Sequence, residues 1–326
     1  MDQISISVIH GDALLASADT LILKYAQAPH GLDKVIIRRF AAFGNPVEHL
    51  PDVWHYGLID SRKITNTSHV LFIGVPPLEE FGYQEIREFG RQALMHLAHS
   101  VPHASSFALT VHGPGYGLDE TEAFESQIAG IVDSITAGAY PKGLEKIIFV
   151  EQSERLAQRL QAILKYLFPS GYIPKRRAKG LAFAKERSLE TLRLAGNDSE
   201  SKKSVFVAMP FSSYFDDIFY YGIQGAVNAA GYLCERAVLQ SFTGDVMERV
   251  KTRISSANFV IADLTTANPN VYLEAGFAWG QNKKAVLLIK DTTELKFNTR
   301  GQRCLPYKSI KDLETKLKAE LDNLNI

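Results

Sequence analysis

Short apolar runs alternate with longer amphipathic segments over residues 1–172. Ile4, Ile6 and Val8 alternate with polar residues, and this period of two predicts a strand. Apolar runs predict further strands at 20–23, 70–73, 107–111 and 147–150, the first two suited to burial on both faces. Apolar residues at helical spacing predict helices over 86–97, 124–135 and 156–167. This alternation favours a mostly parallel sheet flanked by helices.

The same alternation resumes after residue 203. Apolar runs predict strands at 205–208, 259–262 and 285–289. Helical spacing predicts helices over 223–230, 246–254 and 313–321, with one more carrying Glu274. We therefore predict an α/β fold of two doubly wound domains, each with a mostly parallel sheet flanked by helices, over residues 1–172 and 204–326.

Residues 173–203 interrupt this rhythm and predict a basic linker. Pro174 and Lys175-Arg176-Arg177 open the segment, a turn-forming Gly196-Asn197-Asp198 comes near its end, and some helix is expected over 182–194. The chain has 36 basic and 36 acidic residues, and the linker alone has a clear basic excess, nine against four. The linker is either a solvated connector or a contact for nucleic acid. A basic stripe without interleaved aromatic residues supports nucleic-acid binding only weakly.

Several classes of protein are excluded by the sequence. Cys234 and Cys304 have no CxxC partner, which excludes a disulfide framework and a zinc ribbon. The N-terminus lacks a signal-peptide pattern, and no apolar run approaches the roughly 20 residues of a membrane span. We expect a cytoplasmic protein without a membrane partner. We also expect no metal at His96, His99 and His103, since Pro102 interrupts their helix and no carboxylate completes the set.

The segment 257–276 carries two carboxylates at suggestive positions. An apolar run ends on Asp263, and Glu274 follows eleven residues later inside a second apolar segment, with a polar loop between them. A carboxylate at the end of a buried strand and one on the next helix are expected to face one crevice, where open α/β sheets bind ligands. Two carboxylates in a cleft are the minimum for cleaving a glycosidic bond.

Each charged candidate also has a structural alternative. A lone carboxylate in an apolar segment is costly to bury unpaired, so Glu274 is either the catalytic carboxylate or a helix residue paired with an arginine. Asp263 is either a second catalytic residue or a turn residue that accepts backbone N–H bonds. Arg236 either neutralises a substrate phosphate or pairs with Glu235 or Asp245.

Four uncharged residues complete the predicted substrate site. Asn268 and Asn270 either donate to ribose hydroxyls or only form a turn. Met209 and Phe211 follow the strand at 205–208, at another carboxyl end. Phe211 either stacks on a base or closes the core as an apolar plug.

A family resemblance rests on three segments, FVAMPF, AGYLCERA and SSANFVIADLTTANPNVYLEAGFAWGQNKKAVLLI, and on the tail FNTRGQRCLPY. Together they resemble the nucleoside 2-deoxyribosyltransferase-like group and related TIR-like domains over roughly residues 204–320, with ADLT…NPNVYLEAG as the specific part. The resemblance implies that Glu274 is the nucleophile or its equivalent and that Asp263 and residues 268–270 line the sugar pocket. TIR-like members cleave NAD or build signalling nucleotides from it, commonly as homo-oligomers, and the transferases exchange bases on deoxyribose.

Two loops of the first half follow strands and are rich in glycine. Asp12 ends His10-Gly11-Asp12, and Gly113, Gly115 and Gly117 alternate in the segment 112–117. Alternating glycines let backbone N–H groups converge on a phosphate near a helix N-terminus, although a plain tight turn explains them equally well.

These loops resemble those of a macro domain, or of the similar N-terminal domain of leucyl aminopeptidases, over roughly residues 3–168. The resemblance implies that Asp12 contacts adenine and that the glycines from Gly113 to Gly117 hold a diphosphate. Macro domains that hydrolyse ADP-ribose esters carry an asparagine-rich loop after the second strand. This chain has Lys24-Tyr25-Ala26-Gln27 there, so we expect binding of an ADP-ribose-like nucleotide and no hydrolysis in this half.

The sequence thus predicts a nucleotide-sensing effector that cleaves or exchanges an N-glycosidic bond, with NAD the leading substrate and no cofactor. A role in bacterial anti-phage defence, and homo-oligomers, follow from the resemblance alone. Two other hypotheses stay open. One is a non-catalytic nucleotide receptor that acts through a partner, and the other is a housekeeping nucleoside 2-deoxyribosyltransferase.

Overall fold

The computed structural model describes residues 3–175, 186–236, 246–290 and 304–324. By their contacts, these residues form a first unit, Met1–Pro114 with Glu120–Ser199, and a second unit, Gly115–Asp119 with Glu200–Ile326. Each unit contains one sheet and flanking helices, which confirms the predicted α/β class. Within the described residues, no helix combines the length and the apolar character that crossing a membrane requires.

The sheet of the first unit has seven described strands, with the antiparallel ones at its edges. In chain order they are β1 (Gln3–His10), β2 (Thr20–Tyr25), β3 (Tyr56–Asp60), β4 (His69–Gly74), β5 (Ser106–Leu109), β6 (Lys146–Glu151) and β7 (Tyr172–Pro174). Their spatial order is β3-β4-β2-β5-β6-β1-β7. Only β3 and β7 pair antiparallel, with β4 and β1. The strands β2 and β4 are buried almost throughout, as their unbroken apolar runs predict, and β5 is buried as well.

Five described helices belong to this unit. They are α1 (Gly31–Ala42), α2 (Tyr83–Ser100), α3 (Glu120–Ala137), α4 (Glu154–Leu167) and α5 (Glu186–Leu194). The three helices predicted between residues 86 and 167 are confirmed. Helix α1 was not predicted, because only Ile36 and Phe40 are its buried apolar residues and they do not form a long apolar stripe.

Helices α2 and α3 approach to backbone contact through two glycines. A Cβ atom on Gly130 would lie 1.8 Å from the carbonyl oxygen of Arg87, and one on Gly90 would lie 2.3 Å from that of Gln127. Non-bonded atoms cannot approach so closely, so any larger residue would force the two helices apart. The sequence did not reveal this packing, because neither glycine stands in a turn motif.

Part of the predicted linker belongs to the first unit. Strand β7 pairs with β1, and residues 186–199 group with this unit as well. The Arg87 guanidinium donates to the carbonyls of Leu192 at 2.9 Å and Ala195 at 2.5 Å. Residues 176–185, with Arg176, Arg177 and the start of the helix expected over 182–194, lie outside the described residues. The predicted bounds of linker and domains stay predictions.

The second unit has a sheet of five described strands, all paired in parallel. In chain order they are β8 (Ser204–Ala208), β9 (Leu233–Arg236), β10 (Phe259–Asp263), β11 (Lys284–Ile289) and β12 (Cys304–Pro306). Their spatial order is β12-β11-β10-β8-β9. The strands predicted at 205–208, 259–262 and 285–289 are confirmed as β8, β10 and β11.

Helices cover both faces of this sheet. They are α6 (Ser213–Asp217), a π-helical segment (Ile218–Gln224), α7 (Gly225–Ala229), α8 (Val246–Ser256), α9 (Pro269–Gly280) and α10 (Ile310–Asn323). Alternate residues of β10 enter different cores. Phe259 and Ile261 pack with the segment 213–229 and α10, whereas Val260 and Ala262 pack with α8 and α9. The arrangement is therefore doubly wound, with one core on each face.

The glycine contact between α2 and α3 gives a stability prediction. Replacing Gly130 by alanine forces Cβ against the Arg87 carbonyl, so we expect a loss of about 1–3 kcal/mol in the free energy of unfolding, measured with urea. Gly143 is the control, because its Cβ would lie 3.9 Å from the nearest atom, and Gly143→Ala should change stability by less than about 0.5 kcal/mol. Equal midpoints for the two variants would contradict the described packing.

Candidate functional site

A small cavity in the second unit brings together five predicted site residues. They are Met209, Phe211, Asn268, Asn270 and Glu274. Its volume is about 80 Å³. The rest of the lining is apolar and consists of Pro210, Met247, Val250, Val271 and Leu273.

The fold positions these residues through two loops at the carboxyl ends of parallel strands. Met209 and Phe211 follow β8 directly. The loop after β10 leads to Asn268, which is the N-cap of α9 and accepts a hydrogen bond from the backbone N–H of Asn270 at 2.9 Å. Pro269 at the first helical position suits this start. The capped helix then carries Glu274 to the cavity.

Glu274 is a buried carboxylate for which the described residues provide no partner. Its side chain lines the cavity, and only 9% of the residue is exposed. No hydrogen bond or ion pair joins it to another described residue. The arginine partner of the structural alternative is thus not found in the described part of the chain. Burial raises the pKa of Glu274 to about 7, because desolvation disfavours the charged form.

Asp263 differs from Glu274 in that both its oxygens are engaged inside the fold. It ends β10 and is fully buried. One oxygen accepts from the Thr265 backbone N–H at 3.0 Å and from its hydroxyl, and the other accepts from the Tyr307 hydroxyl at 2.9 Å. Burial raises the pKa of Asp263, and these hydrogen bonds oppose the shift. The geometry is that of the turn residue described as its alternative, and Asp263 is not among the residues that line the cavity.

Arg236 lies against aromatic rings at the end of β9. Its guanidinium carbon is 4.2 Å from the centroid of the Phe219 ring and 6.0 Å from that of Phe211, which lines the cavity. Asp216 is its ion-pair partner at 3.6 Å. Aromatic faces stabilise the cation by its attraction to the ring electrons. The ion pair is long, and the phosphate role of Arg236 stays a prediction.

Neither of the two carboxylates predicted as structural partners of Arg236 is found paired with it in the described part of the chain. Glu235 pairs with Arg253 at 2.9 Å. Asp245 lies outside the described residues. The partner Asp216 was not foreseen, because it belongs to a helix 20 residues earlier in the chain.

The N-terminal candidates are divided between the two units. In the first unit, Asp12 accepts from the Leu14 N–H at 2.9 Å and so caps a short 3₁₀ turn, and Gly113 has φ +111°. Gly115 and Gly117 group with the second unit. The Gly117 carbonyl accepts from the Arg236 N–H at 3.2 Å. Ligand roles for these four residues stay predictions.

Residues that the sequence did not single out supply much of the apolar wall. Met247 and Leu273 are large and apolar, and they are 39% and 56% exposed. They come from α8 and α9, so only the packing of these helices shows that they share a cavity.

No group of three or more His, Cys, Asp or Glu side chains is placed to hold a metal ion in the described part of the chain. His96 instead lies with one ring nitrogen 3.2 Å from the Trp54 carbonyl, and its ring contacts Tyr56 at a centroid distance of 4.8 Å. His99 contacts the same tyrosine ring. These two histidines therefore pack against aromatic and backbone groups.

Comparisons with known proteins give a faint likeness for the N-terminal half of the chain. No protein-family model matches the chain, and no curated protein matches it in sequence. A macrodomain of Oceanobacillus iheyensis with MES bound is 15% identical over 49% of this chain and 90% of its own, with a TM-score of 0.35. A macrodomain of Trypanosoma brucei in complex with ADP is 15% identical over 49% of this chain and 69% of its own, with a TM-score of 0.37.

The macro domain of ganglioside induced differentiation associated protein 2 gives similar values, 12% identity over 49% of this chain and 83% of its own, with a TM-score of 0.36. Likeness at this level assigns neither a family nor a ligand. The resemblance of the C-terminal half to nucleoside 2-deoxyribosyltransferase-like and TIR-like domains finds no support in these comparisons.

The burial of Glu274 makes stability depend on pH. Its pKa is raised from 4.5 to about 7 on folding, so the folded chain binds the proton more tightly and stability falls as pH rises between these values. Glu274→Gln removes this loss, so it should stabilise the chain by roughly 3 kcal/mol at about pH 8 and much less at about pH 5. Urea unfolding of both chains at the two pH values measures the difference. An equal difference in the free energy of unfolding at the two pH values would contradict the raised pKa of Glu274.

Proposed function

We propose that the second unit cleaves or exchanges the N-glycosidic bond of a nucleotide, with Glu274 as the reacting carboxylate. One observation carries the proposal. This carboxylate is buried at a cavity, has no partner among the described residues, and has asparagine side chains and an aromatic ring beside it. A buried charge without a structural partner is unfavourable for the fold and typical of a residue kept for chemistry.

The raised pKa suits this role near neutral pH. With a pKa of about 7, a large fraction of Glu274 is ionised and can attack the anomeric carbon or stabilise its developing positive charge. The apolar walls exclude water and strengthen that attraction. Asn268 and Asn270 are placed to orient the sugar hydroxyls, since amides both donate and accept hydrogen bonds.

The composition of the cavity favours NAD over a neutral nucleoside as the substrate. Glu274 is the one titratable side chain among the described lining residues, and both oxygens of Asp263 are engaged elsewhere. A neutral base must be protonated before it leaves, which needs a second acid. The nicotinamide of NAD is a cation, and it leaves as a neutral molecule when it takes the bonding electrons. Phe211 offers a ring to stack on the substrate, and Arg236 beside it offers a charge for the phosphates.

For the first unit, we extend the proposal to binding of an ADP-ribose-like nucleotide. The support is the resemblance of Asp12 and Gly113 to the matching residues of macro domains; Gly115 and Gly117 of the same loop group with the second unit. The two units together then form a ligand-controlled effector. The anti-phage role and assembly into homo-oligomers rest on the resemblance of the second unit to TIR-like domains.

Nicotinamide release from NAD tests the enzymatic proposal. The purified full chain is incubated with NAD, with and without ADP-ribose, beside a Glu274→Gln variant. We expect turnover that rises with pH as the carboxyl ionises through a pKa of about 7, and a loss of at least about 100-fold in the variant. Glu248→Gln is the matched control, because Glu248 is an exposed residue that pairs with Lys251, and it should keep full activity.

Two other outcomes of this experiment would contradict the enzymatic proposal or change it. If neither ligand condition gives turnover while the chain still binds nucleotide, the enzymatic proposal is wrong and the receptor hypothesis replaces it. Base exchange on deoxynucleosides without NAD cleavage would favour the transferase hypothesis.

A further inference from the structure

A second cluster of buried titratable side chains lies in the first unit, at the carboxyl ends of two central strands. Lys24 is the penultimate residue of β2, and His112 follows β5, its parallel neighbour. From β2 the chain continues through β3 to β4 on one side and then crosses to β5 on the other. This reversal is a topological switch point, the place where open α/β sheets form their ligand crevice.

Three charged or polar side chains are buried there. Lys24 is 9% exposed, Asp33 of α1 is 3% exposed and His112 is 6% exposed. The carboxylate of Asp33 accepts from the backbone N–H of His30 at 3.1 Å. The Nε2 atom of His112 is fully buried and has no hydrogen-bond partner in the described structure. A buried polar atom without a partner is unfavourable, so a ligand is the natural source of one.

Aromatic rings hold these side chains in one place. The Lys24 Nζ atom lies 5.9 Å from the centroid of the Phe81 ring. The His112 ring contacts the same phenylalanine at 6.4 Å and Phe89 at 4.7 Å, both edge to face. The amine and the imidazole therefore share one apolar surrounding.

This surrounding favours the neutral forms of both bases. Burial lowers the pKa of Lys24, and the charge of Asp33 only partly opposes it. Burial also lowers the pKa of His112 well below its ordinary value, and repulsion from Lys24 adds to the shift. Burial raises the pKa of Asp33, against the attraction of Lys24. Desolvated lysines of this kind act as nucleophiles toward carbonyl groups.

We propose that Lys24 forms a Schiff base with the aldehyde form of a reducing pentose nucleotide, with His112 moving the proton. This inference rests on the proposed ADP-ribose-like ligand of the first unit. ADP-ribose has such a reducing end, and hydrolysis of NAD would produce it.

The step balances without a further reactant. The neutral Lys24 amine attacks the aldehyde carbon and forms a C–N bond, and the carbonyl electrons move to oxygen. A proton passes from nitrogen to that oxygen through Nε2 of His112 and gives a carbinolamine. Loss of water then leaves the C=N bond, so amine and aldehyde give imine and water. Asp33 lies close enough for its charge to oppose the lowering of the Lys24 pKa.

Reductive trapping tests the proposal. The full-length Glu274→Gln chain is incubated with ADP-ribose and cyanoborohydride at neutral pH, digested, and mapped by mass spectrometry. This variant does not depend on NAD turnover, so the outcome is separate from that of the C-terminal activity. Because a lowered pKa leaves more of the amine neutral, we expect Lys24 to be modified faster than exposed Lys142.

Three controls make the result specific. ADP, which has no aldehyde, should leave Lys24 unmodified under the same conditions. His112→Gln should slow the labelling of Lys24 and leave that of Lys142 unchanged. The digest of Lys24→Arg should contain no modified peptide from this position. If circular dichroism shows that this variant does not fold, the test rests on the peptide mapping of the chain that retains Lys24. Labelling of Lys24 no faster than that of Lys142 overturns the proposal.

Discussion

The desolvation of one carboxylate, Glu274, is the constraint on which the second unit's site depends. Taking a carboxyl group out of water without a partner raises its pKa and disfavours the charged form. The other described residues that line the cavity do not offset this desolvation, since apart from two asparagines they are apolar. The same environment that makes the residue unfavourable for the fold brings its ionisation into the neutral range, which suits the reacting role proposed for it.

The fold maintains this unfavourable group through rigid surroundings. Asp263 and Thr265 fix the turn after β10, and Tyr307 closes the network from the segment after β12. Asn268 then caps α9. The hydrogen-bonded turn and cap lead directly into the helix that carries Glu274, and the core residues on the inner side of α9 hold that helix on the sheet. The two carboxylates that look alike in the sequence thus have different surroundings: Asp263 is held by hydrogen bonds within the fold, and Glu274 faces the cavity.

Much of the fold followed from the sequence, because a buried strand or an amphipathic helix leaves a local pattern. The edge strands could not be predicted from the sequence. β3 alternates only weakly, and β7 has three residues. The association of residues 186–199 with the first unit depends on the Arg87 side chain and backbone carbonyls, which no composition reveals. Likewise, Lys24 stood out as a departure from a motif, but its proximity to His112 is set by strand order across almost ninety residues.

The ionisation of Glu274 itself is the most direct test of this account. Carbon-13 labelling of glutamate, with the signal assigned through Glu274→Gln, gives the titration of this one carboxyl group by NMR. We expect a midpoint near 7, the pKa that burial without a partner gives this carboxyl group. A midpoint near 4.5, the ordinary value, would show that the carboxylate is solvated or paired, and would contradict the account.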